Sequence, residues 1–82
     1  MKALMKMAEG PGNVVFHETD RPVPKADEVL IRVAAAGICG TDIKIWHGTT
    51  WSNPPVILGH EFSGDVVAVG RSVTGFREGD RI

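Results

Sequence analysis

Short apolar runs separated by glycine and proline dominate the pattern of this chain. The longest run, residues 28–36, is rich in branched side chains and nearly continuous in its apolar character. Such a run is typical of a strand that is buried on both faces or that wraps around the interior of a barrel. Other segments of high β-propensity predict further strands at residues 2–9, 14–19, 56–58, 62–69 and from residue 79 onward.

Only one segment has the character of a helix. Residues 42–47 predict one or two helical turns, which Gly48 closes. The turn residues 10–13 join the first two strands into a hairpin, and two prolines make residues 21–24 an extended connector. Short strands, glycine-rich turns and one short helix predict a mainly β fold, a barrel or sandwich with mostly antiparallel strands.

Composition then excludes several classes of protein. A net charge of −1 with scattered cations gives no electrostatic footprint for nucleic acid or for an anionic membrane surface, so we expect neither as a partner. No apolar stretch approaches the roughly 18 residues that a membrane-spanning helix needs. The single cysteine excludes an internal disulfide framework and favours a reducing, cytoplasmic location.

Candidate chemistry is concentrated in residues 39–42 and 59–64. Cys39 offers a thiol, His60 an imidazole and Glu61 a carboxylate, and these three side-chain types together bind zinc. An isolated cysteine is more often a buried structural residue than a metal ligand, and a lone histidine is usually an ordinary core or surface residue. The position of Cys39 at the start of the predicted helix, where amide donors and the helix dipole favour a thiolate, supports the metal hypothesis.

Glu61, Asp42 and Thr41 each have two interpretations. Glu61 can be a metal ligand only if Gly59 breaks the strand geometry, because adjacent residues of a regular strand point to opposite faces. Otherwise it lies behind the ligands or pairs with a cation elsewhere. Asp42 is either the acceptor for the remaining N–H of a zinc-bound imidazole or an ordinary carboxylate of the first helical turn. Thr41 is either a simple N-cap or a hydroxyl that hydrogen-bonds a metal-bound alcohol and starts a proton path.

These stretches resemble the signature of the zinc-containing alcohol dehydrogenases of the medium-chain dehydrogenase/reductase superfamily. The matching residues are Gly59, His60, Glu61, Gly64, Gly70 and Val73, with residues 36–42 and 78–81 as further blocks. The resemblance runs over nearly the whole chain and is closest in style to the sorbitol and threonine dehydrogenases.

The resemblance implies a fold and a set of roles. It implies a GroES-like, partly open β-barrel in which residues 1–82 form the amino-terminal part of a catalytic domain, with the Rossmann cofactor domain outside the chain. Cys39 and His60 are then zinc ligands, and Glu61 is a ligand or close neighbour. Thr41 becomes the relay hydroxyl and Asp42 the partner of His60. Lys44 stands where some family members carry a relay histidine.

The function implied is zinc-dependent oxidation of a secondary alcohol or polyol, with hydride passing from a zinc-bound alkoxide to NAD or NADP. We expect the isolated chain to be inactive, since it has no dinucleotide fingerprint, and to self-associate through uncovered strand edges. One alternative is a small zinc-binding GroES-like interaction module without catalysis. Another is a zinc-free quinone reductase relative, against which Cys39 and His60 both argue.

Overall fold

The computed structural model describes all 82 residues, and its regular structure is mostly β-strand with one short helix. The elements in chain order are β1 (Lys2–Lys6), β2 (Val14–Glu18), β3 (Val29–Gly37), α1 (Gly40–His47), β4 (Val56–Ile57) and β5 (Glu61–Val69). The strands form one sheet in the order β2-β1-β4 and a second sheet of β3 and β5, and neither closes into a barrel. The predicted mainly β class is confirmed. None of the helical structure is both long enough and apolar enough to cross a membrane.

Residues Met1–Asp20 and Gly37–Glu61 make up one compact unit, and β1 is its central strand. β1 pairs antiparallel with β2 on one side, which confirms the predicted hairpin, and with β4 on the other. The hairpin turn carries positive φ angles at Gly10, Gly12 and Asn13, a conformation that glycine and asparagine tolerate best. β1 ends at Lys6, three residues earlier than its apolar pattern predicts, because the chain already turns toward Gly10 there.

The helix of this unit follows its sequence signals closely. α1 ends at His47 and is capped by Gly48, whose φ of 78° is left-handed. The N–H of Gly48 donates to Ile45 O at 3.1 Å and that of Thr49 to Lys44 O at 3.0 Å. A glycine just past the last helical residue commonly ends a helix in this way, because the N–H groups there bond to carbonyls that the helix leaves without partners. The predicted helix and its closing glycine are confirmed.

Residues Arg21–Ala36 and Phe62–Ile82 make up the second unit, in which β5 has neighbours on both sides. β3 pairs with one edge of β5. The chain end pairs with the other edge, where Val66 N–H donates to Asp80 O at 2.8 Å and Ile82 N–H donates to Gly64 O at 3.0 Å. The strand expected from residue 79 onward is therefore present only as a single bridge between Asp65 and Arg81.

The prediction that β3 is a buried strand is wrong. Its first three residues are half-buried and the other six, from Arg32 to Gly37, are exposed. The physical reason is that β5 is its one strand neighbour, so no second layer covers this two-stranded ribbon. The buried side chains are instead Ala3 and Lys6 in β1 and Val66 in β5.

Gly64 explains how closely β3 and β5 approach each other. A Cβ atom at this buried position would lie 2.1 Å from the carbonyl oxygen of Arg32 and 2.8 Å from a side-chain carbon of Ile31. No side chain fits in that space, so the glycine of the sequence signature is here a steric requirement of strand packing.

Candidate metal centre

Cys39 occupies the N-cap of α1. Its backbone is extended, with φ −93° and ψ 159°, and its N–H donates to Oδ2 of Asp42 at 3.0 Å. Asp42, three residues into the helix, thus satisfies a backbone donor that precedes it, as the carboxylate of a capping box does. The alternative of Thr41 as N-cap is wrong, because α1 begins at Gly40 and leaves Thr41 inside its first turn.

His60 and Glu61 reach the same place from a different segment. β4 ends at Ile57 and β5 begins at Glu61, so His60 lies outside regular strand geometry. Gly59 turns the chain with a φ of 110°, a value that a residue with a side chain rarely adopts. This is the break that Glu61 needs in order to point to the same side as His60.

The ligand atoms of Cys39, His60 and Glu61 all lie within 4.8 Å of one another. Zinc bonds of about 2.0–2.3 Å place tetrahedral donors about 3.5 Å apart, so small side-chain rotations would bring these atoms into coordination. The donor set of one thiol, one imidazole and one carboxylate fits zinc. Three protein ligands leave a fourth position open, as in catalytic rather than structural zinc sites. Cys39 is half-buried and the other two side chains are exposed, so a small molecule has access.

Asp42 contacts both ligand-bearing segments. While Oδ2 accepts the N–H of Cys39, Oδ1 lies 3.6 Å from Nδ1 of His60. The Asp42 side chain is 12% exposed and that of His60 is 51% exposed, so the carboxylate lies on the buried side of the cluster. A carboxylate beside Nδ1 orients an imidazole so that Nε2 is the nitrogen that faces a metal.

The pKa values of the two strongest ligands move in opposite directions. The backbone N–H of Thr41 is the main cause that lowers the pKa of the Cys39 thiol, with hydrogen bonds from His60 and the Thr41 hydroxyl adding to it. The hydrogen bond with Cys39 is the main cause that raises the pKa of His60, and the charges of Cys39, Asp42 and Glu61 act in the same direction. Each shift stabilises the charged form of its group, the thiolate of Cys39 and the imidazolium of His60, relative to the free side chain.

The structure brings together all five residues that the sequence singled out. The fifth, Thr41, has its hydroxyl oxygen 3.8 Å from the sulfur of Cys39. Sequence reasoning missed Lys6, which is 1% exposed and lies under the hairpin turn of the same unit. Its only signal is a lysine in a central strand just before a glycine-rich turn.

Known proteins are similar to this chain along its whole length. Residues 25–82 match the alcohol dehydrogenase GroES-like domain family. Among similar proteins, the sorbitol dehydrogenase of Halalkalibacterium halodurans is 45% identical over 82 residues, which cover 100% of this chain and 24% of that protein. The L-threonine 3-dehydrogenase of Bacillus licheniformis is 48% identical over 88 aligned positions, covering 100% and 25%. A zinc-binding dehydrogenase of Sinorhizobium meliloti, solved with NADP, superposes with a TM-score of 0.89 at 44% identity, covering 98% of this chain and 23% of that one.

Fold and comparisons together place this protein in the class of medium-chain dehydrogenases related to zinc alcohol dehydrogenases. The chain belongs to the alcohol dehydrogenase GroES-like domain family, which matches well over half of its residues. The resemblance inferred from the sequence motifs is confirmed, including its similarity to sorbitol and threonine dehydrogenases. The chain spans about a quarter of the length of these relatives.

Proposed function

We propose that this chain carries the metal centre of a zinc-dependent NAD(P) dehydrogenase that oxidises a secondary alcohol or polyol. The observation that carries the proposal is the convergence of Cys39, His60 and Glu61 within 4.8 Å. The names of the relatives support the substrate class, since sorbitol is a polyol and L-threonine bears a secondary hydroxyl at carbon 3. The structural neighbour solved with NADP supports a nicotinamide as hydride acceptor.

In this proposal some residues bind or orient the metal ligands, and one residue transfers a proton. Cys39, His60 and Glu61 would hold the zinc, which when bound would supply Lewis acidity toward the alcohol oxygen. Asp42 keeps the imidazole of His60 in place through Nδ1. The Thr41 hydroxyl, in the first turn of α1, accepts the alcohol proton at Oγ1 and donates its own proton outward, so the hydroxyl ends the step unchanged.

The hydride acceptor needs a separate binding site. The chain contains no glycine-rich dinucleotide fingerprint, so we propose that the nicotinamide is held by a further domain of a longer protein. On this proposal the 82 residues alone bind zinc and do not oxidise alcohols. One unpaired cysteine in a metal site suits a reducing cytoplasm.

Metal analysis of the purified chain tests the proposal. Wild type is expected to bind at most one zinc ion, and Cys39→Ser and His60→Ala to lose it. His47→Ala is the matched control, because His47 is an exposed histidine outside the cluster. Equal zinc in Cys39→Ser and wild type would overturn the metal site. Zinc binding without alcohol-dependent reduction of NAD(P) by the longer protein would favour the module without catalysis.

A further inference from the structure

Lys6 is a buried cation surrounded by backbone carbonyls. It is 1% exposed, and its ammonium donates to Gly10 O, to Gly12 O at 2.5 Å and, at the longer distance of 3.4 Å, to Trp46 O. An ammonium has three N–H donors and no acceptor, so it matches three converging carbonyls. A buried charge is tolerated only when its hydrogen bonds are made, which ties the position of the hairpin turn to this side chain.

The turn that Lys6 holds also holds the end of the helix. Gly12 N–H donates to Trp46 O at 2.7 Å, in the last turn of α1. The carbonyls of a final helical turn have no partners within the helix and carry its partial negative charge. Lys6 and Gly12 together therefore fix the carboxyl end of α1 to the hairpin.

The same strand fixes the segment that leads to His60. Lys6 pairs with Val56 and Met5 with Ile57, while Leu58 N–H donates to Leu4 O at 2.9 Å. β1 thus contacts both segments that supply the ligands: α1, with Cys39 at its start, and β4, which leads to His60. The distance from Trp46 to Cys39 along the helix is about 10 Å, at about 1.5 Å per residue.

We propose that Lys6 is a positioning residue for the metal centre: by clamping the hairpin turn onto the last turn of α1, its ammonium sets Cys39 and Asp42 against His60. The inference rests on the proposed zinc site. Metal–ligand distances vary by only about 0.2 Å in a formed site, so the backbones of Cys39 and His60 must stay where their side chains reach one ion. The loss of Lys6 therefore disturbs the ligands at a distance, without touching any of them.

The test is a cobalt(II) titration of the metal-free chain, since cobalt reports both thiolate ligation and coordination geometry in its absorption spectrum. Lys6→Met keeps an unbranched side chain of nearly the same length and removes its donors. Lys2→Met is the matched control, an exposed lysine of the same strand. Ala3→Gly is a second control, because it destabilises a buried position of β1 without removing a side-chain donor.

We expect wild type and Lys2→Met to bind cobalt with the same Kd and the same spectrum. Lys6→Met is expected to weaken binding about tenfold, as removal of groups that orient metal ligands typically does, and to lower the intensity of the ligand-field bands. Ala3→Gly lowers the melting temperature while keeping the spectrum below its transition. Should Lys6→Met fail to fold, Lys6→Gln, which retains two N–H donors, is expected to show a smaller loss in the same direction.

Two results would contradict the inference, and they are distinguishable. An unchanged Kd and spectrum in a folded Lys6→Met or Lys6→Gln chain removes the positioning role and leaves the metal site standing. The same loss in Ala3→Gly as in Lys6→Met shows that general destabilisation is the cause, and also removes it. Absence of a thiolate-to-cobalt band in wild type would instead overturn the proposed function on which the inference rests.

Discussion

Oδ1 of Asp42 lies 3.6 Å from Nδ1 of His60, and this contact joins the first turn of α1 to the residue before β5. The separation is longer than a direct hydrogen bond and within the range of an ion pair. The other oxygen of Asp42 accepts the backbone N–H of Cys39. One carboxylate therefore helps to position both Cys39 and the imidazole of His60.

Asp42→Asn is therefore expected to weaken zinc binding by about 10- to 100-fold, the usual effect of removing a partner that orients a metal-bound histidine. An asparagine oxygen still accepts the N–H of Cys39, so the helix cap and the fold should survive. Competition with a chromophoric chelator measures the affinity. Asp27→Asn, at an exposed carboxylate away from the cluster, is the control; identical affinities for the two variants would refute the role of Asp42.

The Cys39 thiol should react with iodoacetamide at a pH below the range of an ordinary cysteine. The hydrogen bond from the backbone N–H of Thr41 is the main cause of its lowered pKa, and His60 adds to it. Cys39 is the only cysteine, so the rate of alkylation of the metal-free chain against pH reports this group alone. His60→Ala should move the profile upward while leaving part of the shift in place. A profile that matches a free cysteine in wild type would contradict the prediction.

The stability of the metal-free chain should depend on pH between the ordinary pKa values of histidine and cysteine, 6.5 and 9.0, with opposing contributions from His60 and Cys39. The lowered pKa of Cys39 means that its contribution is present above the pKa of the unfolded thiol and is lost as the pH falls through the folded value. The raised pKa of His60 means the opposite: its contribution is present below the unfolded pKa and is lost as the pH rises through the folded one. Urea unfolding across this pH range measures the net effect. His60→Ala should remove the loss of stability with rising pH and leave the rise that Cys39 contributes.

Thr41→Val should lower the turnover of the proposed longer enzyme about 100-fold while its zinc content holds, since a positioned proton donor or acceptor typically contributes at least that much. Valine keeps the shape of threonine and removes the hydroxyl. Thr74→Val, at an exposed threonine of the other unit, is the matched control. Unchanged turnover in Thr41→Val would take this hydroxyl out of the proton path.

Gly64→Ala should destabilise the fold by about 1–3 kcal/mol, the usual cost of forcing an extra methyl group into a packed site. The added carbon would lie 2.1 Å from the carbonyl oxygen of Arg32, so β3 and β5 would have to move apart. Gly40→Ala is the control, since a Cβ there meets nothing within 4 Å. Chemical denaturation of both variants gives the comparison, and equal stabilities would show that the strands adjust without cost.

We propose that the chain self-associates through the free edge of β3. Val33 is 53% exposed in that strand, whereas both edges of β5 are paired. Uncovered strand edges with apolar side chains pair with other chains unless a charge prevents it. Light scattering over a concentration series should show oligomers of wild type and fewer of Val33→Lys. Val23→Lys, at an 86% exposed position outside the strands, should behave as wild type; a monomeric wild type at high concentration would refute the proposal.

The elements were predictable where local chemistry determines them. Alternation and turn residues located the hairpin, and Gly48 located the end of α1. The burial of β3 was not predictable, because it depends on which layers cover a strand and not on the strand's own sequence. Residue types identified Cys39, His60 and Glu61, but only the backbone at Gly59 decides whether all three point to one place. Lys6 escaped notice because lysine is almost never fully buried, and because one of its three carbonyl acceptors, Trp46 O, lies 40 residues further along the chain.

Because the ligands come from two separate segments of the chain, a bound metal would stabilise the fold as well as supply chemistry. A zinc ion shared by Cys39 and His60 would cross-link the chain around a loop of about 20 residues that contains all of α1 and β4. By the chain-entropy argument used for disulfides, a covalent link around such a loop is worth about 3 kcal/mol. For a chain of 82 residues with few buried side chains, that is a large share of the total stability that such domains reach. Chelation of the metal should therefore loosen the helix as well as remove the reactive centre, and refolding should depend on zinc concentration.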